Sequence, residues 1–267
     1  GLPQTVYVSK TLTIRGGYTT TNWMADSDPD THPTTLDALN GGRVMVLTGN
    51  ITPTVENLRI TGGNASGLSG GYSGEDAGGG VYVYSATATI SNCTVYSNTA
   101  STTNVGAGGG IALLYSAAEL VGNTVQRNTA GTAPFGGGEG GGVYLADSPA
   151  TLTDNLVISN TASTSDQSAG YGGGVYLEGS AARIESNTVQ DNIANTGLFG
   201  SSGDGGGIHL WLSAAELVSN TIHGNVGNAG DWEGWGGGVC LYASAATLEG
   251  NTIYDNIAST VEMGAGG

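Results

Sequence analysis

The sequence predicts an all-β chain wound into repeated coils, and three observations carry that expectation. A glycine triplet recurs, ending at Gly80, Gly110, Gly142, Gly174, Gly207 and Gly238, with steps of 30, 32, 32, 33 and 31 residues. From each triplet to the second of two asparagine columns the segments align without a gap. Within them aliphatic residues fall two apart, the period of a strand, with no run at the 3.6 period of a helix. A repeat of this length is the mark of a solenoid or array.

Each column has a structural reason. The first strand opens on Val81, Ile111, Val143, Val175, Ile208 and Val239, with Val83, Leu113, Leu145, Leu177, Leu210 and Leu241 two residues on, all facing inward. A serine column follows at Ser116, Ser148, Ser180, Ser213 and Ser244, with Ala86 in the first repeat. Two residues later every repeat has alanine, from Ala88 through Ala118, Ala150, Ala182 and Ala215 to Ala246, marking an interior too narrow for more. The second strand centres on Ile90, Leu120, Leu152, Ile184, Leu217 and Leu248, and the third on Val95, Val125, Val157, Val189, Ile222 and Ile253. Asparagines flank the third strand: Asn123, Asn155, Asn187, Asn220 and Asn251 before it, Asn128, Asn160, Asn192, Asn225 and Asn256 after it. At a bend the backbone leaves the sheet and exposes N–H and C=O groups. An inward amide supplies both donor and acceptor, so stacked asparagines can satisfy the bend and one another. Asparagine also tolerates the left-handed backbone of a sharp corner. The glycine triplet serves the remaining corner, where no Cβ fits. The expected fold is a right-handed parallel β-helix of about eight coils of roughly 30–33 residues, with three short strands per coil.

The N-terminal part is less regular. GGRVMVLTG (41–49) reads as a degraded triplet and first strand, TVENLRITGG (54–63) as second and third strands, and TVYVSKTLTIRGGY (5–18) as one coil earlier. The aperiodic stretch 19–40 reads as an excursion over the N-terminal turn. One domain, 1–267, therefore comprises irregular coils 1–65 and regular repeats 66–267. The chain starts at Gly1 and stops as another triplet begins, GAGG, so the expectation is a piece of a larger protein whose flanks or neighbouring copies cover its ends.

Composition narrows the partners. Asp and Glu number 22 against 6 Lys and Arg, a net charge of −16, which makes nucleic acid and anionic lipid poor partners and repels polyanionic sugar. No apolar run approaches the ~20 residues of a membrane helix. Richness in Gly, Ser, Thr and Asn, with Lys10 the single lysine, suits a secreted or cell-surface protein.

The columns GGG-[VI]-x-[VL], A-x-[IL] and N-T-[VI]-x-x-N-T-A resemble those of the right-handed β-helix repeat family, the pectate-lyase-like superfamily in the broad sense. Within it they are similar to bacterial secreted and cell-surface repeat proteins. SKTLTIRGGYTTTNW (9–23) and NLRITGGNA (57–65) resemble the N-terminal coils of those proteins. The resemblance covers essentially the whole chain and implies the fold. It does not choose a function, because the superfamily holds lyases, glycoside hydrolases, epimerases, adhesins and structural solenoids.

Two places could carry chemistry. The loop before each triplet varies in length and holds Glu75, Asp76, Glu139, Asp166, Asp204, Asp231 and Glu233, beside Tyr72, Phe135, Tyr171, Phe199, Trp232 and Trp235. Acids beside aromatics suit a neutral sugar: carboxylates for hydroxyls or acid–base work, rings for apolar sugar faces. The same residues also serve merely to solubilise loops and cap the core. The second place is the outward side of the first strand. One column reads Met45, Tyr82, Ala112, Tyr144, Tyr176, His209 and Cys240, and the next Leu47, Tyr84, Leu114, Ala146, Glu178, Trp211 and Tyr242. A solvated sheet is polar there, so the strip reads either as an interaction face or as rings stacked under the loops.

Catalytic signatures are absent. Only Arg127 and Arg183 lie in the regular repeats, away from the strip, and His32, His209 and His223 have no metal spacing. GGEGGGVYL (137–145) resembles calcium-binding nonapeptide repeats without their period, so calcium at the acidic loops is the one cofactor left open. Cys93 faces inward and Cys240 outward five coils later, on the order of 24 Å apart, beyond disulfide reach. The reading is a structural or adhesive solenoid without catalysis, self-associating or contacting neutral polysaccharide. The alternative is a polysaccharide-active enzyme using Asp76, Glu139, Asp204, Asp231 or Glu233.

Overall fold

The computed structural model describes residues 4–199, 201–261 and 264–267. Its strands form five parallel sheets, and no helix occurs among the described residues. One coil shows the plan: Val143–Ala146 lies in sheet 1, Thr151–Thr153 in sheet 2, Leu156–Ile158 in sheet 3, Thr161–Ser163 in sheet 4 and Gly170–Tyr171 in sheet 5. Sheets 1, 2 and 3 each stack eight strands, giving seven full turns from first to last of a right-handed parallel β-helix. The three expected strands per coil are all present, and two further short ones join them. Sheets 4 and 5, of six and seven strands, lie between sheet 3 and the glycine corner. Set among Gly, Ser and Asn, these strands read in the sequence as bend and loop.

The interior is a stack of identical columns. Leu145, Leu152 and Val157 of one coil sit on Leu177, Ile184 and Val189 of the next, all buried in one continuous core. Each such side chain contributes about 1.5–3 kcal/mol by leaving water. The alanine column is buried as well, Ala182 at 1% exposure. Ala182→Leu is therefore expected to cost about 1–3 kcal/mol by overpacking, read as a lower urea midpoint. A parent-like midpoint would show that the corner has room.

Both asparagine columns are hydrogen-bonded ladders. Asn155 Nδ2 donates to Leu120 O at 2.8 Å and to Asn187 Oδ1 at 2.9 Å, while its Oδ1 accepts from Asn123 N at 2.9 Å and Asn123 Nδ2 at 3.0 Å. Asn160 does the same between Asn128 and Asn192. A serine ladder runs down the bend between sheets 1 and 2, with Ser148 N donating to Ser180 Oγ at 3.0 Å and Ser180 N to Ser213 Oγ at 3.0 Å.

Three sequence expectations need correction. The left-handed residue at each bend is not the ladder asparagine but the residue before it: Asp154 (φ 56°), Ser159 (φ 54°), Ser186 (φ 56°) and Asp191 (φ 54°). The left-handed residue turns the chain, which leaves the next side chain aimed into the core. Met45 and Leu47 face inward, because Met45 pairs with Val81 and Leu47 with Val83. In this early coil Val44 occupies the last glycine seat, and a slip of one residue exchanges the two faces of a strand. The excursion also ends sooner than residue 40. Thr34–Asp37 rejoins sheet 3 beside Leu58–Thr61. Glu262 and Met263, in the terminal segment singled out in the sequence, lie outside the described residues.

Candidate functional site

The glycine triplet sets the geometry of the site. Gly140 is left-handed at φ 62°, and a Cβ there would strike the Val143 carbonyl. A Cβ on Gly141 would strike the Thr161 backbone, and one on Gly142 the next coil's Gly174 carbonyl and the ladder amide of Asn160. The chain thus doubles back sharply between sheet 5 and sheet 1. Their outward faces meet in a groove that runs along the solenoid.

The residue before each triplet forms one wall: Ala77, Ala107, Glu139, Tyr171, Asp204 and Trp235, paired coil to coil. The two outward columns of sheet 1 form the other. Over the first coils the groove is closed. Ala77 and Ala107 pack on Ala112, Leu114, Tyr144, Ala146 and Tyr176 in an apolar cluster separate from the core. The aromatic strip is therefore not open along its length. Tyr144 is fully buried, Tyr176 is 5% exposed and His209 is 2% exposed. Their rings stack, Tyr144 on Tyr176 at 5.7 Å and Tyr176 against His209 at 5.3 Å. At the N-terminal end Tyr82 is half-buried under the chain's own Arg43, whose guanidinium carbon lies 4.5 Å from the ring centroid. Arg43 Nε donates to Ala77 O at 2.7 Å, and its Nη2 donates to Ser69 O. Tyr84 is exposed and meets Tyr115 edge-on.

Near the last described coil the groove is not filled by the chain's own side chains. A pocket of about 430 Å³ is lined by Tyr171, Asp204, His209, Trp211, Trp235, Cys240, Leu241 and Tyr242. Trp211 stacks on Tyr242, with centroids 4.3 Å apart and planes 6° apart. Trp235 and Trp232 are exposed, and Tyr242 is more than half exposed. A larger hollow, about 550 Å³, lies over the N-terminal insertion beside Arg15, but that guanidinium is already paired with Glu56 at 2.6 Å.

The acids separate into distinct roles. Asp76 is buried and clamps its loop, accepting from Ser101 Oγ at 2.7 Å and Ser69 N at 2.9 Å. Asp231 is exposed, and Glu233 lies beside Asp204 at the rim. Glu139 sits in mid-groove, where burial and the neighbouring Glu75 and Glu178 push its pKa up to about 8. Glu178, which the sequence reading placed only in a column, accepts from Tyr144 Oη at 2.8 Å. Its own pKa is raised, first by burial. Burial also holds Asp204 up at about 6 and drives His209 down to about 4. Cys93 and Cys240 are both free thiols, each raised to about 11 by burial. Among the described residues no three His, Cys, Asp or Glu side chains converge as a metal-binding set.

Comparison with known proteins bears on the fold. No sequence match was found among curated proteins. The crystal structure of pectate lyase Pel9A is similar over 96% of this chain and 70% of its own, at 11% sequence identity and a TM-score of 0.38. A family model described as "Right handed beta helix region" matches residues 9–253, nearly the whole stack of coils. The chain belongs to that right-handed β-helix family.

Proposed function

We propose that this chain is a secreted or cell-surface adhesive solenoid, without catalysis, that holds a carbohydrate free of negative charge at the open end of its groove. The observation that carries the reading is the platform of Trp211 stacked on Tyr242 with Trp235 beside it around one pocket. The ring surfaces left exposed on Tyr242 and Trp235 suit the apolar faces of pyranose rings, and the −16 charge of the chain disfavours polyanions. Trp211→Ala is expected to weaken retention on neutral polysaccharides by roughly tenfold or more, measured by affinity electrophoresis and by titration with soluble oligomers. Absence of retention on every neutral polysaccharide by the parent chain would overturn the reading.

One observation favours polysaccharide cleavage instead. Glu139 keeps its proton near neutral pH beside the raised Glu178, and a carboxylic acid beside a second carboxylate is what glycoside hydrolysis requires. Against it stands the closed cluster around Tyr144 and Tyr176, which fills the groove where the substrate would lie. New reducing ends or unsaturated products released by the parent and lost in Glu139→Gln would establish cleavage in place of simple binding.

A further inference from the structure

We propose that the open end of the groove is a site for a primary ammonium group, carried by an amino sugar. This rests on the reading of the groove as a carbohydrate site and names the chemistry that selects its ligand.

Two buried acceptors lack a partner there. Asp204 Oδ1 and His209 Nε2 are both shielded from solvent without a hydrogen bond, and both residues line the pocket. His209 Nδ1 lies 3.4 Å from the Asp204 carbonyl. Pairing with that acceptor puts the ring proton on Nδ1, so Nε2 presents a lone pair. The depressed pKa of His209 keeps the ring neutral. A carboxylate oxygen and a bare imidazole nitrogen are both short of donors, and a native fold rarely leaves such atoms empty. None of the ion pairs among the described residues involves Asp204.

The other end of the same groove shows what fills such a place. There the guanidinium of Arg43 lies over the Tyr82 ring and donates to the Ala77 carbonyl. Tyr82 stands in the column of His209, and Ala77 in the column of Asp204. The C-terminal pocket offers aromatic rings on Tyr171, Trp211, Trp235 and Tyr242 and a carboxylate on Asp204, and among the described residues no Lys or Arg lines it. Aromatic faces and a carboxylate together favour a cation. The two orphan acceptors decide which kind. A quaternary ammonium has no N–H and would leave both unsatisfied, whereas a primary ammonium donates to each and keeps a third hydrogen for solvent. Carried on a pyranose, it brings an apolar ring face to the Trp211–Tyr242 platform.

Calorimetric titration of the 267-residue chain at pH 6.5 with a β-1,4-linked glucosamine tetramer, its N-acetylated counterpart and cellotetraose tests the proposal. The glucosamine tetramer is expected to bind roughly tenfold tighter than the other two. In Asp204→Asn the ratio between tetramers is expected to collapse, whatever happens to absolute affinity. His209→Gln reads the same ratio should Asp204→Asn fail to fold. Glu119→Gln, which removes an exposed charge on sheet 2 far from the pocket, is expected to keep the preference. Equal affinity of the parent for all three tetramers would overturn the ammonium site and leave the carbohydrate reading standing. A preference that survives Asp204→Asn, or that Glu119→Gln abolishes equally, would also overturn it, as general attraction to an acidic chain. Binding of none of the three would overturn the ammonium site, and the carbohydrate reading falls with it only where no neutral polysaccharide retains the parent chain.

Discussion

Asn155→Leu is expected to lower the unfolding free energy by roughly 3–6 kcal/mol. Asn155 is buried, and its amide closes four hydrogen bonds with neighbouring coils. Leucine has about the right volume but no polar atoms. It would leave Asn123 N, Asn123 Nδ2, the Leu120 carbonyl and Asn187 Oδ1 without this partner. A buried group stripped of its bond costs about 1–3 kcal/mol, and part of that is recovered where a second partner remains. Burial of the leucine side chain, worth about 1.5–3 kcal/mol, offsets part of that loss.

The same change at the end of the ladder separates stacking from a purely local effect. Asn251 accepts from Asn220 N and Nδ2 and donates to Leu217 O, but it is half-exposed and water can replace what is lost. Asn251→Leu is expected to cost about 1 kcal/mol. Solenoid stability is close to a sum of coil and neighbour terms, so the comparison uses urea midpoints together with hydrogen exchange of the flanking coils. Equal costs at 155 and 251 would show that burial within the stack adds nothing. No cost at either would remove the ladder as a source of stability.

How far the sequence could be read follows from where the period was strong. The columns of sheets 1, 2 and 3 were legible because six repeats place an aliphatic residue at the same offset from each triplet. Sheet 5 escaped, though a signal was present. The residues immediately before the triplets, Ala77, Ala107, Glu139, Tyr171, Asp204 and Trp235, share one column. Read as scattered loop residues, they gave no hint that Asp204 and Trp235 sit together. The groove itself could not be read from spacing. It depends on the angle at the glycine corner, which brings sheet 5 onto the outer side of sheet 1 and buries Tyr144, Tyr176 and His209. Arg43 was invisible for a different reason. Its coil is out of register by one residue, and the cation over Tyr82 appears only when that register is known.

Glu139→Gln is expected to remove a pH dependence of stability on the order of 5 kcal/mol between about pH 4.5 and pH 8. In the folded chain the Glu139 pKa is raised, first by burial and then by Glu75 and Glu178. Around it lie Tyr144, Tyr171 and Tyr176, each itself raised first by burial, and the charges acting on it are those of Glu75 and Glu178. A raised folded pKa means that the native state holds the proton after the unfolded chain has lost it. The contribution is therefore complete below the unfolded value near 4.5 and is lost as the pH rises toward about 8. Glutamine keeps the shape and cannot ionise, so its curve lacks that decline. Asp204, raised, and His209, lowered, act in opposite directions at acid pH and are common to both proteins, so they cancel in the comparison. The measurement is the urea unfolding free energy of parent and variant at pH 5 and pH 8.5. The parent is expected to lose more than the variant between those two points, with the difference vanishing at the acid end. Parallel curves would mean that Glu139 is already ionised in the native state at neutral pH. The proton that recommends it as a general acid would then be gone, and the cleavage reading of this groove would lose its one favourable group.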